Sequence, residues 1–387
     1  MKSILYVWKS PYPWDPRIEK ICNTLHKNNF NVIILARWDG KQPERELIDG
    51  ITIIRSGYKL PRKFSTPLSS NPVWKKAIMN AIREFKPSLI IPREIMLAEA
   101  CGKAGRKFGI PVIMDMAEHY PAAMKGWDKY YRNIFKRIAV HYLNIPGRVE
   151  KRSVHLMDGI LTVSYELSQR LNNLYSFPIE KMQVIHNTPE KQWFDNVRIG
   201  IDNSLVEFAY HGYMTPDRNL DKMVKGFIIA AGKLPDIRLT IAGSGETYKL
   251  LCEIADRSEC PERIKFTGSY SHSDIEKLYS EMDVGILPFK NNEFINHIIA
   301  NKFFDYLAAG KPMIVSQAIP MARLINETNA GISVDCNDEN EIANAIINIR
   351  GMNIKQMSGN GRKAFLEKYN WDVDGKNMLG FVNRVIL

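Results

Sequence analysis

Short apolar runs alternate along almost the whole chain with longer stretches in which apolar positions recur every three or four residues. Runs of the first kind predict strands buried on both faces, and stretches of the second kind predict amphipathic helices. In the first half the strands fall at Ile4–Trp8, Asn31–Ala36, Ile51–Arg55, Ser88–Ile91, Pro111–Met114 and Ile160–Val163. Between them lie helices such as Pro16–Asn28, with a proline in its first turn, and Trp74–Phe85. A second set begins near Leu205, with strands at Val206–Tyr210, Arg238–Ala242, Ile264–Thr267, Val284–Leu287, Pro312–Val315 and Gly331–Val334. Its helices lie near 219–232, 272–281, 297–309 and 339–349, and Ile354–Leu387 reads as helices broken around Tyr369-Asn370-Trp371-Asp372. This alternation predicts an α/β fold of two Rossmann-like domains in tandem, facing each other across a cleft. Both patterns lapse in the polar segment Asn187–Asn203, which divides the chain into domains 1–190 and 191–365 and a C-terminal helix, 366–387.

Composition agrees with a soluble globular chain. Of 387 residues, 45% are apolar and 25% charged, and the mean hydropathy is −0.25. No run of about 18 apolar residues occurs, and Met1-Lys2 leads straight into a strand, so the expectation is a protein that stays where it is made. The five cysteines, without CxxC spacing, predict neither a disulfide framework nor a zinc site and fit a reducing cytoplasm. Charge is uneven: residues 1–190 hold 30 Lys/Arg against 17 Asp/Glu, and residues 191–387 hold 23 against 25. The first half is therefore +13 and the second −2, which points to a large anionic partner for the N-terminal half. An anionic membrane surface fits best, because no RNA or DNA motif accompanies the charge. Lys125, Lys129, Arg132 and Lys136 recur at helical spacing among Trp127, Tyr130, Tyr131, Phe135 and Tyr142, as on an interfacial helix with one cationic face.

The segment from Val284 to Val315 carries the most chemistry. It reads as a buried strand, a polar loop, a helix starting close to Ile298 and ending at Gly310, then another strand. Such a helix start turns free backbone N–H groups of Ile298, Ile299 and Ala300 and its positive dipole end towards a ligand, which makes an anion site. Asn301 and Lys302 add an amide and a point charge, and Asp305 lies one turn on, able to accept from hydroxyls. Together they suit a diphosphate and a ribose. Upstream, Gly212 ends a strand and Arg218 follows, a guanidinium able to clamp a diphosphate. Ile241-Ala242-Gly243-Ser244-Gly245 is a glycine-rich turn after another strand, but Tyr248 breaks the dinucleotide pattern. In the first half, Asp115-Met116-Ala117-Glu118-His119 leaves a strand with acid and imidazole groups suited to proton transfer or substrate orientation. Ser10–Arg17 is a stiff loop in which Tyr12, Trp14 and Asp15 stand among prolines, a surface for acceptor recognition.

The block Asn301-Lys302-Phe303-Phe304-Asp305-Tyr306-Leu307-Ala308-Ala309-Gly310-Lys311-Pro312 resembles the signature of the retaining glycosyltransferases of the GT-B fold, the large family that includes sucrose synthase and bacterial mannosyl- and glucosyltransferases. Ile264–Gly268, Leu278-Tyr279 and Asp283–Pro288 continue the likeness in order, over nearly all of 205–372 and more loosely over 1–190. The resemblance implies a nucleotide sugar, UDP-, GDP- or another, held by Gly212, Arg218, Gly243, Ser244, Gly268, His297 to Lys302 and Asp305. It implies acceptor groups at Tyr12, Trp14, Asp15 and Glu118, and catalytic roles for His119, Arg218 and Lys302. No cofactor or metal is implied; the donor is a co-substrate. Two departures stand out. The family's two acids are spaced E-x7-E, and here Asp305 occupies the second position while His297 stands at the first. Either His297 takes the donor-sugar role, Glu293 reaches in from the loop, or the role is absent. Tyr213 also replaces the basic residue that often follows the glycine. The expected reaction moves a hexose or N-acetylhexosamine, with retention and without a metal, to a glycan or lipid-linked glycan. The expected location is cytoplasmic, with peripheral attachment at the inner face of the membrane. The alternatives are an epimerase acting on the nucleotide sugar and a non-catalytic binding partner.

Overall fold

The computed structural model describes residues 1–13, 15–198 and 205–386. The chain forms two compact units, residues 1–186 with the C-terminal segment from Asp374, and residues 187–373.

The first unit holds eight strands: β1 Ser3–Val7, β2 Asn31–Arg37, β3 Arg45–Ile48, β4 Ile51–Ser56, β5 Leu89–Pro92, β6 Ile113–Met116, β7 Gly159–Thr162 and β8 Met182–Val184. They run in the order β3-β4-β2-β1-β5 and β6-β7-β8. Parallel bridges at Ile90–Val112 and Arg93–Asp115 carry the first sheet into the second. All pairings are parallel except β3 with β4. Helices cover both faces, so β5, β6 and β7 are buried along their whole length and read as unbroken apolar runs. The last helix, Trp371–Ile386, returns to this unit with Met378, Phe381 and Val382 buried. A Cβ on Gly159 would lie 2.7 Å from the Phe381 ring, so that strand is glycine because the helix packs directly on it.

The second unit is one parallel sheet of β9 Val206–His211, β10 Ile237–Ala242, β11 Ile264–Gly268, β12 Val284–Leu287, β13 Met313–Ser316 and β14 Gly331–Val334, in the order β11-β10-β9-β12-β13-β14. The chain steps outward from β9 on one side and from β12 on the other, so the loops after these neighbouring strands diverge. In the first unit the same divergence falls between β1 and β5.

Sequence and structure differ at several places, among them the short strand β8 at the end of its sheet, which the sequence did not lead us to expect. β3 was not expected because its alternating polar residues sit at a sheet edge. Its signal was the two-residue turn Asp49-Gly50 joining Ile48 to Ile51, both turn residues having positive φ. The helix expected near Ile298 starts at Asn301, because Ile298 is extended and Ile299 turns into the core. The expected single cationic helix through Lys125, Lys129, Arg132 and Lys136 is broken into Tyr120–Gly126, Asp128–Tyr131, Ile134–Arg137 and a π turn at Ile138–Tyr142. Extended backbone at Trp127 and Asn133, with the Asn133 side chain accepting from the Lys136 N–H, interrupts the helical register. Those four residues therefore do not share one helix face. Among the described residues no helix is long and apolar enough to cross a membrane.

At the centre of the first unit, Asp115 accepts from Arg17 Nε and Nη2 at 2.9 and 2.8 Å and from the Tyr6 hydroxyl at 2.7 Å. Arg17 Nη1 also donates to the Ile185 carbonyl at 3.0 Å. Burial raises the Asp115 pKa, but Arg17, Arg93 and Tyr6 outweigh it and hold the carboxyl below its ordinary value. The stabilisation is therefore complete above the unfolded-state pKa and is lost as pH falls through the lower folded-state value. Arg17→Met strands the buried carboxylate and should destabilise this unit by about 3–5 kcal/mol, most of it recovered in Arg17→Met/Asp115→Asn. Denaturant unfolding of both variants from neutral to acid pH checks this; equal losses in the single and double variants would contradict it.

Candidate functional site

In the second unit the loops at the carboxyl ends of β9, β10 and β11 are laced by backbone hydrogen bonds. Gly212 N donates to Ala242 O at 2.9 Å, Gly243 N to Gly268 O at 2.8 Å and Met214 N to Ser244 O at 2.8 Å. These bonds bring Gly212, Gly243, Ser244 and Gly268 side by side. A Cβ on Gly243 would sit 1.9 Å from the Gly212 oxygen, and one on Gly245 2.3 Å from the Met214 oxygen, with φ of +138° and +151°. The glycines are thus required by the approach of backbone to backbone, a tighter constraint than room for a ligand. Ser244 is left exposed at the tip.

Where β9 and β12 diverge, the two loops are tied by Lys290 N donating to Asp217 O at 3.1 Å. Arg218 ends a short 3-10 turn and lays its guanidinium over the Phe289 ring, 4.2 Å from the centroid. Asp217 Oδ2 lies 3.7 Å from Arg218 Nε, and about a third of the Arg218 side chain remains exposed (31%). The stack fixes the guanidinium plane and leaves its far edge for another partner. Lys302 stands at the second position of the helix Asn301–Ala308 and donates to Asp305 Oδ2 at 3.0 Å. Burial lowers the Lys302 pKa, but Asp305 and Tyr270 outweigh it, so the ammonium is held above its ordinary value. The charges of Arg218 and Lys302 both act on the Tyr210 hydroxyl, whose pKa burial pushes up to about 12. One cation thus follows each of the two strands, β9 and β12, whose loops part at the switch point.

The helix Asn301–Ala308 has Ala300 at its cap position and no side-chain cap, so a first turn with Asn301 exposed keeps orphan N–H groups. Asp305 Oδ2 also accepts from the Tyr279 hydroxyl at 3.0 Å. His297 closes a 3-10 turn, its Nδ1 2.7 Å from the Glu293 carbonyl oxygen, while Glu293 itself is exposed. Ile298 and Ala300 are half-buried, and Ile299 belongs to the core. Tyr213 is exposed.

One group was missed. His211, the last residue of β9, is buried between Tyr279, Tyr270 and Tyr306, with ring centroids 5.0, 6.3 and 6.3 Å away. Burial, then Lys302, lowers its pKa to about 3, so the imidazole is neutral at any working pH. Its only sequence signal was a histidine ending a buried run.

In the first unit, Asp15 caps the helix Pro16–Lys27, accepting from Arg17 N and Ile18 N, and pairs with Arg93 Nη1 at 2.5 Å. Arg93 in turn lies over the Trp8 ring at 4.8 Å. Asp15, expected on the acceptor side, thus also has a capping role. Tyr12 is 4% exposed and belongs to the core, its hydroxyl pKa raised by burial. Trp14 lies outside the described residues. His119 is fully buried at the head of the helix Tyr120–Gly126, and Glu118 is half-buried beside it.

The group that sequence reasoning overlooked here is Glu94, at the end of β5 beside the divergence of β1 and β5. It adopts φ 65°, a strained conformation for a side-chain-bearing residue, and is 2% exposed. Ala117 N donates to its Oε1 at 3.2 Å, while Oε2 has no hydrogen-bond partner. Burial and then Glu118 push its pKa up to about 8, against Arg93 and Lys9. Lys9 itself lies over the Tyr120 ring at 4.2 Å. Two carboxyls, two cations and two rings are thus gathered here, with Glu94, Trp8 and Tyr120 buried among them. Among the described residues no group of three or more His, Cys, Asp or Glu side chains converges.

These two α/β sheets define a class of enzyme-bearing fold, and comparison with known proteins supplies the family. Residues 17–188 match the family described as Glycosyltransferase Family 4, and residues 206–350 match Glycosyl transferases group 1. The chain belongs to the GT-B glycosyltransferases. An uncharacterized glycosyltransferase of Methanocaldococcus jannaschii is 23% identical over 58% of this chain and 61% of its own length. A D-inositol 3-phosphate glycosyltransferase of a Mycobacterium species is 25% identical over 48% of this chain and 43% of its own. The matches thus span less than two thirds of either relative. Among solved structures, sucrose-phosphate synthase of Thermosynechococcus elongatus superposes with a TM-score of 0.75 at 16% identity, covering 99% of both chains. HepE of Anabaena, solved with UDP, gives 0.71 at 13%, covering 99% of this chain and all of that one.

Two predictions follow from the geometry. Gly243→Ala should cost at least about 3 kcal/mol, and Gly268→Ala, with φ +74° and nothing near its Cβ, only about 1 kcal/mol. Similar shifts in thermal unfolding for the two would contradict the close-approach reading. For Glu94, a raised folded-state pKa means that the folded state loses stability as pH rises from about 4.5 to about 8. Glu94→Gln should therefore be more stable than wild type at pH 8–9 and lose that advantage towards pH 4, measured by unfolding across that range.

Proposed function

We propose that this protein transfers a hexose or N-acetylhexosamine from a nucleotide sugar to a hydroxyl of a glycan or lipid-linked glycan, with retention of anomeric configuration and without a metal ion. The carrying observation is that Arg218, in the loop after β9, and Lys302, in the first turn of the uncapped helix after β12, follow the two neighbouring strands whose loops diverge. That is where open α/β sheets bind nucleotides, and two cations with orphan N–H groups match a diphosphate. The HepE fold neighbour, solved with UDP and with UDP-glucose, supports a nucleotide sugar as the donor.

In the proposed reaction the acceptor oxygen bonds to the anomeric carbon on the face from which the bond to the diphosphate breaks. The proton of the acceptor hydroxyl passes to the departing diphosphate oxygen. Arg218, Lys302 and the N–H groups of the first helical turn stabilise the charge that develops there, a preorganised electrostatic effect worth several kcal/mol. Because these groups supply the positive charge, chelation by EDTA should leave turnover unchanged. Asp305, oriented by Lys302 and Tyr279, is offered to the donor ribose, and His297 stands for the family's sugar-facing acid. On the acceptor side we assign Glu94 and Glu118 to sugar hydroxyls and keep His119 beside the transferred sugar. Five unpaired cysteines support a reducing compartment such as the cytoplasm.

A thermal-shift screen of UDP, GDP and ADP sugars should single out one donor, because a bound ligand stabilises the native state by mass action. With that donor, Arg218→Ala should lower turnover about 10²–10³-fold with little change in melting temperature, since the guanidinium is partly exposed. Near-normal transfer by this variant would sink the assignment. Conversion of the donor to an epimer in the absence of acceptor, followed by NMR, would replace transfer with epimerisation.

A further inference from the structure

At its β9–β10 end the sheet of the second unit has two unlike faces. Phe208, Tyr210, Leu239 and Ile241 point into an apolar core, and the alternate residues Glu207, Ala209, His211, Arg238 and Thr240 face the other way. The middle of that second face is paved by the small side chains of Ala209 and Thr240, which are paired across the strands. Over them lies the seven-residue helix Ile275–Glu281. A cavity of about 300 Å³ is left between sheet and helix. Its lining is polar and electrically balanced: Glu207, Glu262 and Glu281 stand against Arg238, Arg263 and Lys265. Glu207 is half-buried and accepts from Thr240 Oγ1 at 2.5 Å, while Arg238 and Lys265 are exposed at the mouth. His211, at the carboxyl end of β9, is 1% exposed, and among the described residues neither of its ring nitrogens has a hydrogen-bond partner. A neutral imidazole carries one donor and one acceptor, and keeping both dry and unpaired costs stability that a bound partner would return.

We propose that this cavity binds one uncharged sugar residue, at a site separate from the strand-end loops that carry Arg218 and Lys302. Hydroxyl groups donate and accept alike, so a single ring can meet the His211 nitrogens, the Glu207 carboxyl and the cations at the mouth together. Equal numbers of acidic and basic groups give no field that would draw a ligand of net charge. Leu278 and Met282 supply apolar surface for the C–H face of a sugar. The volume lies at the low end of the range for small-molecule pockets, about 300–1,000 Å³, which suits one ring better than a nucleotide sugar. A free monosaccharide and one residue of a glycan share this chemistry. The inference does not rest on the transfer reaction.

Ligand-observed NMR and calorimetry on the full chain test it, with glucose, mannose, galactose and N-acetylglucosamine as probes. One of them should bind with a dissociation constant of about 1 mM, the range expected for so small a ligand. His211→Phe should weaken that binding about tenfold or more and raise the melting temperature of the sugar-free protein, because it removes two unpaired buried nitrogens. A histidine with a merely structural role would not give that rise. Arg238→Ala, at the exposed mouth, should weaken binding with an unchanged melting temperature, and Thr240→Leu should block the cavity. No binding of any of the four sugars at about 100 mM, or unchanged binding in both His211→Phe and Arg238→Ala, overturns the proposal. A trisaccharide of the bound sugar then separates the two sources: binding at least as tight as that of the monosaccharide upholds the site as one for a glycan, and loss of binding upholds it as one for the free sugar.

Discussion

A carboxylate withdrawn from water must have its charge met on the spot, and Asp115 imposes that requirement on the whole N-terminal unit. Arg17 and Tyr6 answer it from the first helix and the first strand, and Arg17 spends a further donor on the carbonyl of Ile185 just after β8. Four elements distant in sequence are thereby drawn to one point. A well-packed apolar cluster could be as stable, but it would not define the arrangement so narrowly, because hydrogen-bond geometry tolerates little displacement. Arg93 and Asp15 add a second pair at the same edge, and the strained Glu94 is set between these charges and Glu118. The buried ion pairs thus set the charge environment of Glu94.

The C-terminal unit reaches the same end with backbone in place of charge. Glycines at 212, 243 and 245 let three loops hydrogen-bond directly, and side chains at Gly243 or Gly245 would collide with neighbouring carbonyls. This rigid shelf lies beside the point where β9 and β12 part, and the cations are then positioned individually: Arg218 by the Phe289 ring, Lys302 by Asp305. His211, kept neutral among three tyrosines, adds an aromatic wall without adding charge. Positive charge is concentrated on two side chains and one helix start, the distribution that a diphosphate requires.

Much of this was legible in the chain itself. The buried run at Val284–Leu287 coincides with a strand to the residue, because a parallel strand covered on both faces leaves no polar position to blur its ends, and Gly331–Val334 matches as well, although it is a half-buried strand at the sheet edge. The order of strands and helices implied two α/β units, and the Asn301–Pro312 block resembles one family closely enough to name it. Arg218, Lys302 and Asp305 stand out in the chain because they follow strands or open a helix, positions where exposed chemistry gathers in such sheets.

What the sequence alone determined was therefore the alternation, the family and the charged residues at strand ends. Tertiary structure decided which of them are buried and which are paired. Tyr12 and Asp15 look like recognition residues in a linear loop, yet the first is core and the second caps a helix and neutralises Arg93. Glu94 looks like an ordinary surface acid, yet burial beside Glu118 gives it a shifted proton affinity and a free oxygen. The basic stretch near 132 reads as one amphipathic helix, but a few local caps break it into turns that expose Phe135 and Tyr142. The reason is common to all three: periodicity along a chain records which residues are apolar, whereas burial and charge pairing depend on neighbours that only the fold supplies.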